Sequence, residues 1–287
     1  MPELPEVETV RRTVAEATAG RRVVGGTLNR GDVWNGECSW ETVKSAWVGQ
    51  RLGTPVRHGK QLALRGTSEA GAVCVHLGMS GRLCVYREGD ALPTHTHWWL
   101  DLEGGTRLAF TDPRRFGGLW GYGSLEELQT RRWSMLGPDA TTIGPAALHR
   151  GLRHTRRALK AAVLDQNVVA GLGNIYVDEL LFAVRLSPWT PGNEVTRKDS
   201  ERLVRAMRTL LGRAIAAGGT TLRDYVDASG REGAFRGHRA YGRGGQRCTR
   251  CRATLCKGSI AQRTTVWCGV CQGDPDRAEA LEKNEVL

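Results

Sequence analysis

The chain has 287 residues, 40% of them hydrophobic and 25% charged, which is typical of a globular protein with about two domains. No apolar run approaches the ~20 residues of a membrane span and no signal peptide is visible, so we expect a cytoplasmic protein outside the membrane. The net charge of +11 predicts a polyanionic partner, nucleic acid ahead of a membrane surface, because no basic amphipathic anchor is evident. A charge that serves only solubility is the alternative.

The first residues, MPELPE, carry a candidate nucleophile. A small residue after the initiator methionine favours removal of Met1, which leaves Pro2 with a free secondary amine. Because the pKa of an α-amino group lies below that of a lysine side chain, part of this amine is unprotonated near neutral pH and can form a Schiff base with a sugar carbon. Pro5 suits the first turn of a helix, whose positive end would hold the carboxylates of Glu3 and Glu6. An ordinary capped helix is the alternative.

The string MPELPEVETVRR resembles the opening of the bacterial formamidopyrimidine-DNA glycosylases (Fpg/MutM) of the Fpg/Nei family, which remove oxidised purines. The resemblance extends over about residues 1–272. It implies a DNA glycosylase and AP lyase that acts on double-stranded DNA with oxidised bases or abasic sites. By the same resemblance Pro2 is the Schiff-base nucleophile, Glu3 is a general acid and Glu6 orders the pocket.

Residues 21–122 contain short apolar runs separated by glycines, which predicts an antiparallel β-sandwich. The runs are Arg22–Leu28, Leu62–Arg65, Ala72–Leu77, Gly81–Tyr86, Trp98–Leu102 and Arg107–Thr111. A short helix is predicted at Leu125–Arg132, and Gly137-Pro138-Asp139 marks a linker.

Lys60 lies between two of these runs, so a hairpin would present its side chain. A lysine in such a place is ordinarily only solvated. The family resemblance implies a larger role, in which Lys60 assists elimination and holds a DNA phosphate.

Two further strings, HLGMSG and DPRRFG, contain Met79, Arg114 and Phe116. By its chemistry alone Met79 would fill a gap in the core, whereas a phenylalanine beside arginines in a Pro-containing loop is unusual for a core residue. The resemblance implies that the three side chains occupy the space left by a flipped base. Extruding a base costs a few kcal/mol of stacking and pairing, which apolar wedges and one hydrogen-bond donor offset.

His95 and His97 flank Thr96 just before a predicted strand. Two histidines at this spacing in a strand would point to one face and suggest a metal, but no third ligand is near them in the sequence. The resemblance implies instead that His95 contacts a DNA phosphate. The family often has aspartate where Thr96 stands.

From Pro145 onward the apolar periodicity becomes helical, most clearly in Asp199–Ala216. The string LKAAVLDQNVVAGLGNIYVDELL resembles the helix–two-turn–helix of these glycosylases. In it Asn174 is expected to cap the helix Ile175–Ala183 and to contact a phosphate, although a glycine turn by itself is often only a connector. DNA contacts are also expected from Thr155, Arg156 and Lys160; for the basic stretch at 153–157 a solvated face is the alternative.

Residues Thr220–Tyr225 and Gly230–Gly245 resemble the segment that covers an everted oxopurine in the family. Where the family pattern has an aromatic-glutamine pair, this chain reads Ala234-Phe235-Arg236-Gly237. We therefore expect the preference for the damaged base to be the property in which this chain differs most from the family.

Four cysteines near the C-terminus have the spacing C-x2-C-x16-C-x2-C, which predicts a tetrahedral, structural zinc site with one Zn2+. They are Cys248, Cys251, Cys268 and Cys271. The other cysteines are expected to be reduced, and Cys256, a fifth thiol inside the ribbon, is expected to be a spectator. Between the pairs lies Arg263, which by the resemblance binds phosphate and assists the second elimination; a general DNA anchor is the alternative.

Together these features predict an α+β chain: an N-terminal antiparallel β-sandwich with a leading helix (1–136), a helix–two-turn–helix domain (137–236), a four-cysteine zinc finger (237–272) and a polar tail (273–287). The family resemblance implies excision of 8-oxoguanine and formamidopyrimidines, with β,δ-elimination, and we expect a monomer. One alternative is an endonuclease-VIII-like glycosylase for oxidised pyrimidines, whose opening lacks the ELPEVET string. The other is a non-catalytic damaged-DNA-binding zinc protein, which has no need of an N-terminal amine.

Overall fold

The computed structural model describes residues 1–221 and 225–273. Residues 222–224 of the predicted lesion-covering segment lie outside the described residues, as does the predicted tail after Gly273. Within the described ranges no helix is both long and apolar enough to cross a membrane.

The chain divides into two compact units. Unit 1 comprises Met1–Met135 and Ala214–Phe235, and unit 2 comprises Leu136–Arg213 and the chain from Arg236 onward. This division differs from the predicted domain boundaries in two respects. Residues 214–235 belong with the N-terminal unit, and the four-cysteine segment belongs with the helices rather than forming a unit of its own.

Unit 1 contains three helices and nine strands among its described residues. They are α1 (Leu4–Thr18), β1 (Val23–Leu28), β2 (Trp34–Gly36), α2 (Trp40–Trp47), β3 (Val56–His58), β4 (Gln61–Arg65), β5 (Ala70–His76), β6 (Arg82–Arg87), β7 (Thr96–Leu102), β8 (Thr106–Thr111), β9 (Gly118–Ser124) and α3 (Leu125–Arg131). Short 3-10 turns lie at Gly31–Val33 and Trp133–Met135.

The strands of unit 1 form two sheets, in the orders β1-β7-β8-β6 and β2-β9-β5-β4-β3. All pairings are antiparallel except the three-residue edge pairing of β2 with β9, which is parallel. Apolar side chains from both sheets share one buried cluster, for example Leu64 of β4 and Phe110 of β8. The predicted β-sandwich is confirmed.

Helix α1 packs into this same core, because its valines recur on one face. Val7, Val10 and Val14 are all buried in the cluster that joins the sheets. Burying an aliphatic side chain of this size contributes about 1.5–3 kcal/mol. The leading helix is thus fixed in the sandwich, and its first residues are held with it.

Unit 2 contains four α-helices, a two-stranded hairpin and a terminal turn of helix among its described residues. They are α4 (Pro145–Leu152), α5 (Leu159–Leu164), α6 (Asn174–Val184), α7 (Arg197–Ala216, whose last residues belong to unit 1), β10 (Cys256–Ile260), β11 (Arg263–Trp267) and α8 (Gly269–Gln272). Phe182 of α6 shares a buried cluster with Leu255 and Val266, so the cysteine segment packs against this helix.

Candidate functional site

The residues immediately ahead of α1 are buried. Pro2 and Glu3 are buried, whereas Met1 is exposed. Since Met1 is attached, the Pro2 nitrogen is part of a peptide bond, and loss of Met1 would convert it into an amine. Glu3 occupies the N-cap of α1, where the helix dipole favours a negative charge.

Glu6 links the start of α1 to a later segment of the same unit. Its side chain is fully buried, and its two oxygens accept the backbone N–H groups of Glu3, at 2.8 Å, and Thr220, at 2.7 Å. The Tyr225 hydroxyl donates to the backbone oxygen of Glu6 at 3.3 Å. Burial raises the pKa of Tyr225, and Glu6 adds to this effect, so the hydroxyl stays protonated as a donor. Glu6 therefore orders two backbone segments beside Pro2.

Lys60 lies in the two-residue turn between β3 and β4, after Gly59, whose φ of +57° suits a glycine. Arg57 donates to the oxygen of Gly59 at 2.8 Å and, through Nε, to Glu8 of α1 at 3.1 Å. The turn that presents Lys60 is thus connected to helix α1. The side chain of Lys60 is half-buried.

Glu8 carries the charge on which this connection depends. Burial would raise the pKa of its carboxyl, but hydrogen bonds from Arg11 and Arg12 and the charge of Arg57 hold the pKa at about 2. Glu8 is therefore ionised at neutral pH.

The lowered pKa of Glu8 predicts a pH dependence of stability. A carboxyl with a depressed pKa in the folded state contributes stability above its ordinary pKa of 4.5 and loses it as the pH falls toward about 2. Glu8→Gln should therefore flatten the decline in free energy of unfolding between pH 4.5 and 2, measured by urea titration at several pH values. Glu16→Gln, at a solvent-accessible position of the same helix, should follow the parent. An unchanged slope in Glu8→Gln would contradict this interpretation.

His76, at the end of β5, lies near the charges of Lys60 and Arg132. Burial lowers its pKa to about 4, and the charges of Lys60 and Arg132 act in the same direction. The imidazole is therefore neutral at physiological pH. Sequence reasoning did not single out His76, although it begins the HLGMSG string.

Asp112 holds together the two loops that carry Met79, Arg114 and Phe116. It is fully buried, and its oxygens accept hydrogen bonds from the Ser80 hydroxyl at 2.6 Å and the Gly117 N–H at 2.8 Å. A further bond comes from the Arg114 N–H at 3.2 Å. A buried carboxylate with several donors is stable and rigid, so the positions of both loops are coupled.

Close backbone contact reinforces this coupling. Gly78 has a φ of +59°, and a Cβ atom there would overlap the backbone of Phe116 and Gly117. The two loops consequently lie directly against each other, and substitution of Gly78 would separate them.

The three residues that are predicted to fill the space of a flipped base differ in exposure. Phe116 is 57% exposed, which is high for a phenylalanine, and the Arg114 guanidinium lies 4.8 Å from the centre of its ring. Met79 is half-buried. The structure thus brings an exposed ring, a cation and a flexible thioether onto two adjoining loops, an arrangement suited to insertion between bases.

The two histidines at 95 and 97 do not share a face. His95 is exposed with a φ of +67°, just before β7, whereas His97 is buried and its Nε2 bonds to the backbone oxygen of Asp112 at 2.9 Å. A register shift between Thr96 and Trp98 breaks the strand alternation. Of the described residues, only the four cysteines form a cluster of three or more potential metal ligands.

In unit 2, Gln166 closes the turn before α6. Its Nε2 donates to the oxygens of Leu164 and Leu172, each at 2.9 Å, and its Oε1 accepts the Gly171 N–H at 2.9 Å. Helix α6 begins at Asn174 with Gly173 as its N-cap, so Asn174 is the first helical residue and the predicted cap is wrong. The positive end of the helix dipole lies at Asn174 and favours a negative charge nearby.

Lys160 does not occupy the surface position expected of a DNA contact. Its side chain is 0% exposed, and Nζ donates to Asp178 and to the backbone oxygen of Thr264, both at 2.7 Å. Phosphate cannot reach an ammonium in this position, so the DNA-contact prediction for Lys160 is corrected. Burial raises the pKa of Asp178 to about 6, against the opposing charge of Lys160.

Asp178 and Glu179 anchor the cysteine segment to α6. Asp178 accepts the Val266 N–H of the hairpin at 3.1 Å. Glu179 accepts consecutive backbone N–H groups of residues 239–241 at 2.7–2.9 Å. Sequence reasoning missed both residues, although two carboxylates within the apolar string IYVDELLF are a recognisable signal of buried, paired charge.

The remaining predicted contacts of unit 2 lie at its surface. Arg156 is exposed and Thr155 is half-buried, with its hydroxyl accepting from Arg157. Arg263 is exposed and follows the hairpin turn Ala261-Gln262. Both turn residues have positive φ, as a two-residue hairpin of the mirror-image type requires.

The four sulfurs of Cys248, Cys251, Cys268 and Cys271 lie within 4.8 Å of one another. The Cys251–Cys268 and Cys248–Cys271 sulfur pairs are 3.4 and 4.0 Å apart. A tetrahedral ion with metal–sulfur bonds of about 2.3 Å separates its sulfurs by about 3.8 Å. The cluster therefore fits one metal ion with no open position.

A β-sandwich that presents an exposed Arg114–Phe116 loop is joined in this chain to a helix–two-turn–helix segment and a four-cysteine ribbon. With a net charge of +11, this combination is that of a nucleic-acid-binding protein.

The comparisons with known proteins identify the family. Residues 1–119 match the Formamidopyrimidine-DNA glycosylase N-terminal domain, and residues 136–226 match the Formamidopyrimidine-DNA glycosylase H2TH domain. The formamidopyrimidine-DNA glycosylase of Shewanella loihica is 37% identical over 277 residues, covering 95% of this chain and 99% of the relative. The chain belongs to the formamidopyrimidine-DNA glycosylase family.

Solved structures agree with this assignment. The MutM (Fpg) protein of Thermus thermophilus has a TM-score of 0.82 and 35% identity, with 95% of this chain and 99% of that chain covered. The Fpg of Lactococcus lactis in complex with DNA containing an abasic site has a TM-score of 0.86 and 27% identity, with 95% and 100% covered. A mutant of that enzyme bound to Fapy-dG-containing DNA has a TM-score of 0.86 and 28% identity, with the same coverage.

Proposed function

We propose that this chain is a bifunctional DNA glycosylase and AP lyase that excises oxidised purines from double-stranded DNA. The observation that carries the proposal is the enclosed chain end, where Pro2 and Glu3 are buried and Glu6 fixes the surrounding backbone. A binding protein has no need of such an arrangement. Complexes of the Lactococcus lactis relative with abasic-site and Fapy-dG-containing DNA support the choice of substrate.

The proposed chemistry uses the amine of Pro2 after Met1 is removed. Its nitrogen bonds to C1′ of the lesion nucleotide while the bond from C1′ to the base breaks, and the base leaves with the electron pair. The bond from C1′ to O4′ then breaks and leaves an iminium, and Glu3 supplies the proton that O4′ takes up. The proline N–H proton is released in this step.

Elimination then cuts the strand. Loss of a proton from C2′ breaks the bond between C3′ and O3′, and loss of a proton from C4′ breaks the bond between C5′ and O5′. The iminium accepts the electrons, so no redox cofactor is needed. Lys60 is proposed to assist these steps and hold a phosphate, and Arg263 to assist the second elimination.

The other proposed DNA contacts form two groups. One group contacts the duplex backbone, and the other contacts the place from which the damaged base is everted. His95, Asn174, Arg156 and Thr155 are proposed to contact the DNA backbone; such contacts position a protein without reading sequence. Met79, Arg114 and Phe116 are proposed to fill the gap left by the everted base. One chain carries every group that the proposal uses, so a monomer suffices, and chromosomal DNA as substrate accords with a cytoplasmic location.

The cysteine cluster is proposed to hold one structural Zn2+. The chemistry of four thiolates favours zinc over magnesium or calcium, which prefer oxygen ligands. In this role the metal stiffens the ribbon that carries Arg263 and takes no part in the reaction.

A panel of single-lesion duplexes tests the proposal. We expect 8-oxoguanine and formamidopyrimidine duplexes to be cleaved without alkali, leaving phosphates on both sides of the gap, at least about tenfold faster than thymine glycol duplexes. Cleavage only after alkali treatment would show that the protein releases the base but does not cut the strand, and would contradict the proposed lyase activity. Faster cleavage of thymine glycol would favour the endonuclease-VIII-like alternative. Binding without any borohydride-trapped adduct would favour the binding-only alternative.

A further inference from the structure

A chain of buried polar contacts joins helix α1 to the turn that carries Lys60. The side chains of Glu8 and Arg57 are only 11% and 8% exposed, and Arg57 Nε donates to Glu8 Oε2 at 3.1 Å. Arg57 Nη1 also donates to the backbone oxygen of Gly59 at 2.8 Å. One guanidinium thus binds the helix and the peptide group immediately before Lys60.

The other partners of Glu8 should allow Arg57 to be replaced without unfolding the protein. Glu8 also accepts from Arg11 at 2.8 Å and from Arg12 at 2.8 Å. If Arg57 is removed, two cations still compensate the carboxylate, so Glu8 is not left as an unpaired buried charge. Arg12 is 54% exposed and binds the same carboxylate from α1 itself. It therefore offers a matched control.

From this geometry we infer that Arg57 and Glu8 are positioning residues, which hold the Lys60 turn in fixed relation to the helix that carries Pro2. The inference rests on the proposed function, in which Lys60 assists elimination. Glu8 lies about one helical turn beyond the start of α1, so the helix fixes its distance from the chain end. Because Arg57 contacts both Glu8 and Gly59, it holds the turn at a fixed place relative to the helix.

Loss of this positioning should mainly slow the reaction steps that use Lys60. A lysine side chain has a long, flexible stem, so its effectiveness depends on how well its backbone is held. Misplacement of a catalytic group by about 1 Å can cost as much as about 100-fold in rate. Base release, which uses Pro2 and Glu3, should be affected less than strand cleavage.

The guanidinium group is specifically suited to this role. Its planar fork donates to Glu8 and to the Gly59 carbonyl at once, whereas an ammonium is a point donor that cannot reproduce both bonds in the same geometry. Arg57→Lys should therefore behave like Arg57→Ala, although it preserves the charge.

The test compares Arg57→Ala with Arg12→Ala in single-turnover reactions on an 8-oxoguanine duplex, with base release and strand cleavage measured separately. We expect the ratio of cleavage rate to release rate to fall about tenfold in Arg57→Ala and to stay at the parental value in Arg12→Ala. Thermal unfolding of both variants controls for stability. If Arg57→Ala is poorly folded, Arg57→Met, which keeps the buried stem, replaces it.

Lys60→Ala distinguishes the two ways in which the inference can fail. Because Arg57 acts through Lys60, the double variant Arg57→Ala/Lys60→Ala should cleave no more slowly than Lys60→Ala alone. If Lys60→Ala lowers the ratio but Arg57→Ala does not, the positioning role is wrong and the proposed function stands. If Lys60→Ala leaves the ratio unchanged, the role proposed for Lys60 is wrong, and the positioning role fails with it. A parallel fall of release and cleavage in well-folded Arg57→Ala would also overturn the inference.

Discussion

Replacing Pro2 with glycine is expected to lower the rate of base excision at least about 100-fold, which corresponds to about 2.7 kcal/mol of barrier. Glycine keeps an α-amine after removal of Met1, but it is a primary amine without the ring that fixes the proline nitrogen. The added backbone freedom also works against the enclosed geometry around Glu3 and Glu6. Single-turnover excision on an 8-oxoguanine duplex measures the effect.

A matched proline variant separates this loss from damage to the helix. Pro5 lies in the first turn of α1, and Pro5→Ala removes a ring at nearly the same place without touching the amine. It should retain excision close to that of the parent, and affinity for an uncleavable abasic analogue should be unchanged in Pro2→Gly. Equal losses in both variants would show that helix geometry, and not the nucleophile, limits the reaction.

Replacing Cys251 with serine is expected to abolish metal binding by the cysteine cluster and reduce strand cleavage at least about tenfold. In zinc-finger peptides the apparent binding free energy is about 10–16 kcal/mol and is coupled to folding, so losing one thiolate affects the whole ribbon. The ribbon carries Arg263, which depends on the geometry of the hairpin β10–β11. Metal content by mass spectrometry and cleavage kinetics measure the two effects, with about one zinc per chain expected for the parent.

Cys256→Ser is the control for this experiment, because Cys256 lies in the same ribbon but outside the four-cysteine cluster. It should keep both the zinc and the activity. Full zinc content in Cys251→Ser would contradict the assignment of the ligands. An equal loss in Cys256→Ser would show that the ribbon is sensitive to any thiol replacement.

Much of the fold could be predicted because its signals are local. The strands of unit 1 are short apolar runs between glycines, and β1, β4, β5, β6, β7 and β8 lie within two residues of the predicted runs. Helix α2 was missed because it interrupts a region of β-runs. Its signals were present: Ser39 caps it by accepting the Thr42 N–H, and Trp40, Val43 and Trp47 recur on one buried face.

The parts of the site that could not be predicted depend on long-range contacts. A lysine in a basic stretch is ordinarily exposed, and only the contacts with Asp178 and Thr264 show why Lys160 is buried. The alternation rule placed His95 and His97 on one face, but the backbone of His95 is left-handed and precedes the strand. Burial and local backbone irregularity of this kind are set by tertiary packing.

The structural roles of the buried carboxylates could not be predicted from the sequence either. The family resemblance pointed to residues that would touch DNA, whereas Glu8, Asp112 and Glu179 act on the protein itself by holding loops and turns. Each lies within or next to a string that the sequence had already marked. Their partners are 49, 32 and 61 residues away, so pattern alone could not supply them.

Peptide mapping of the borohydride-trapped protein–DNA adduct by mass spectrometry tests the central claim most directly. The account predicts that the active chain begins at Pro2 and that the DNA remnant is attached to the nitrogen of that residue. An adduct on a lysine side chain, or a fully active chain that retains Met1, would contradict it.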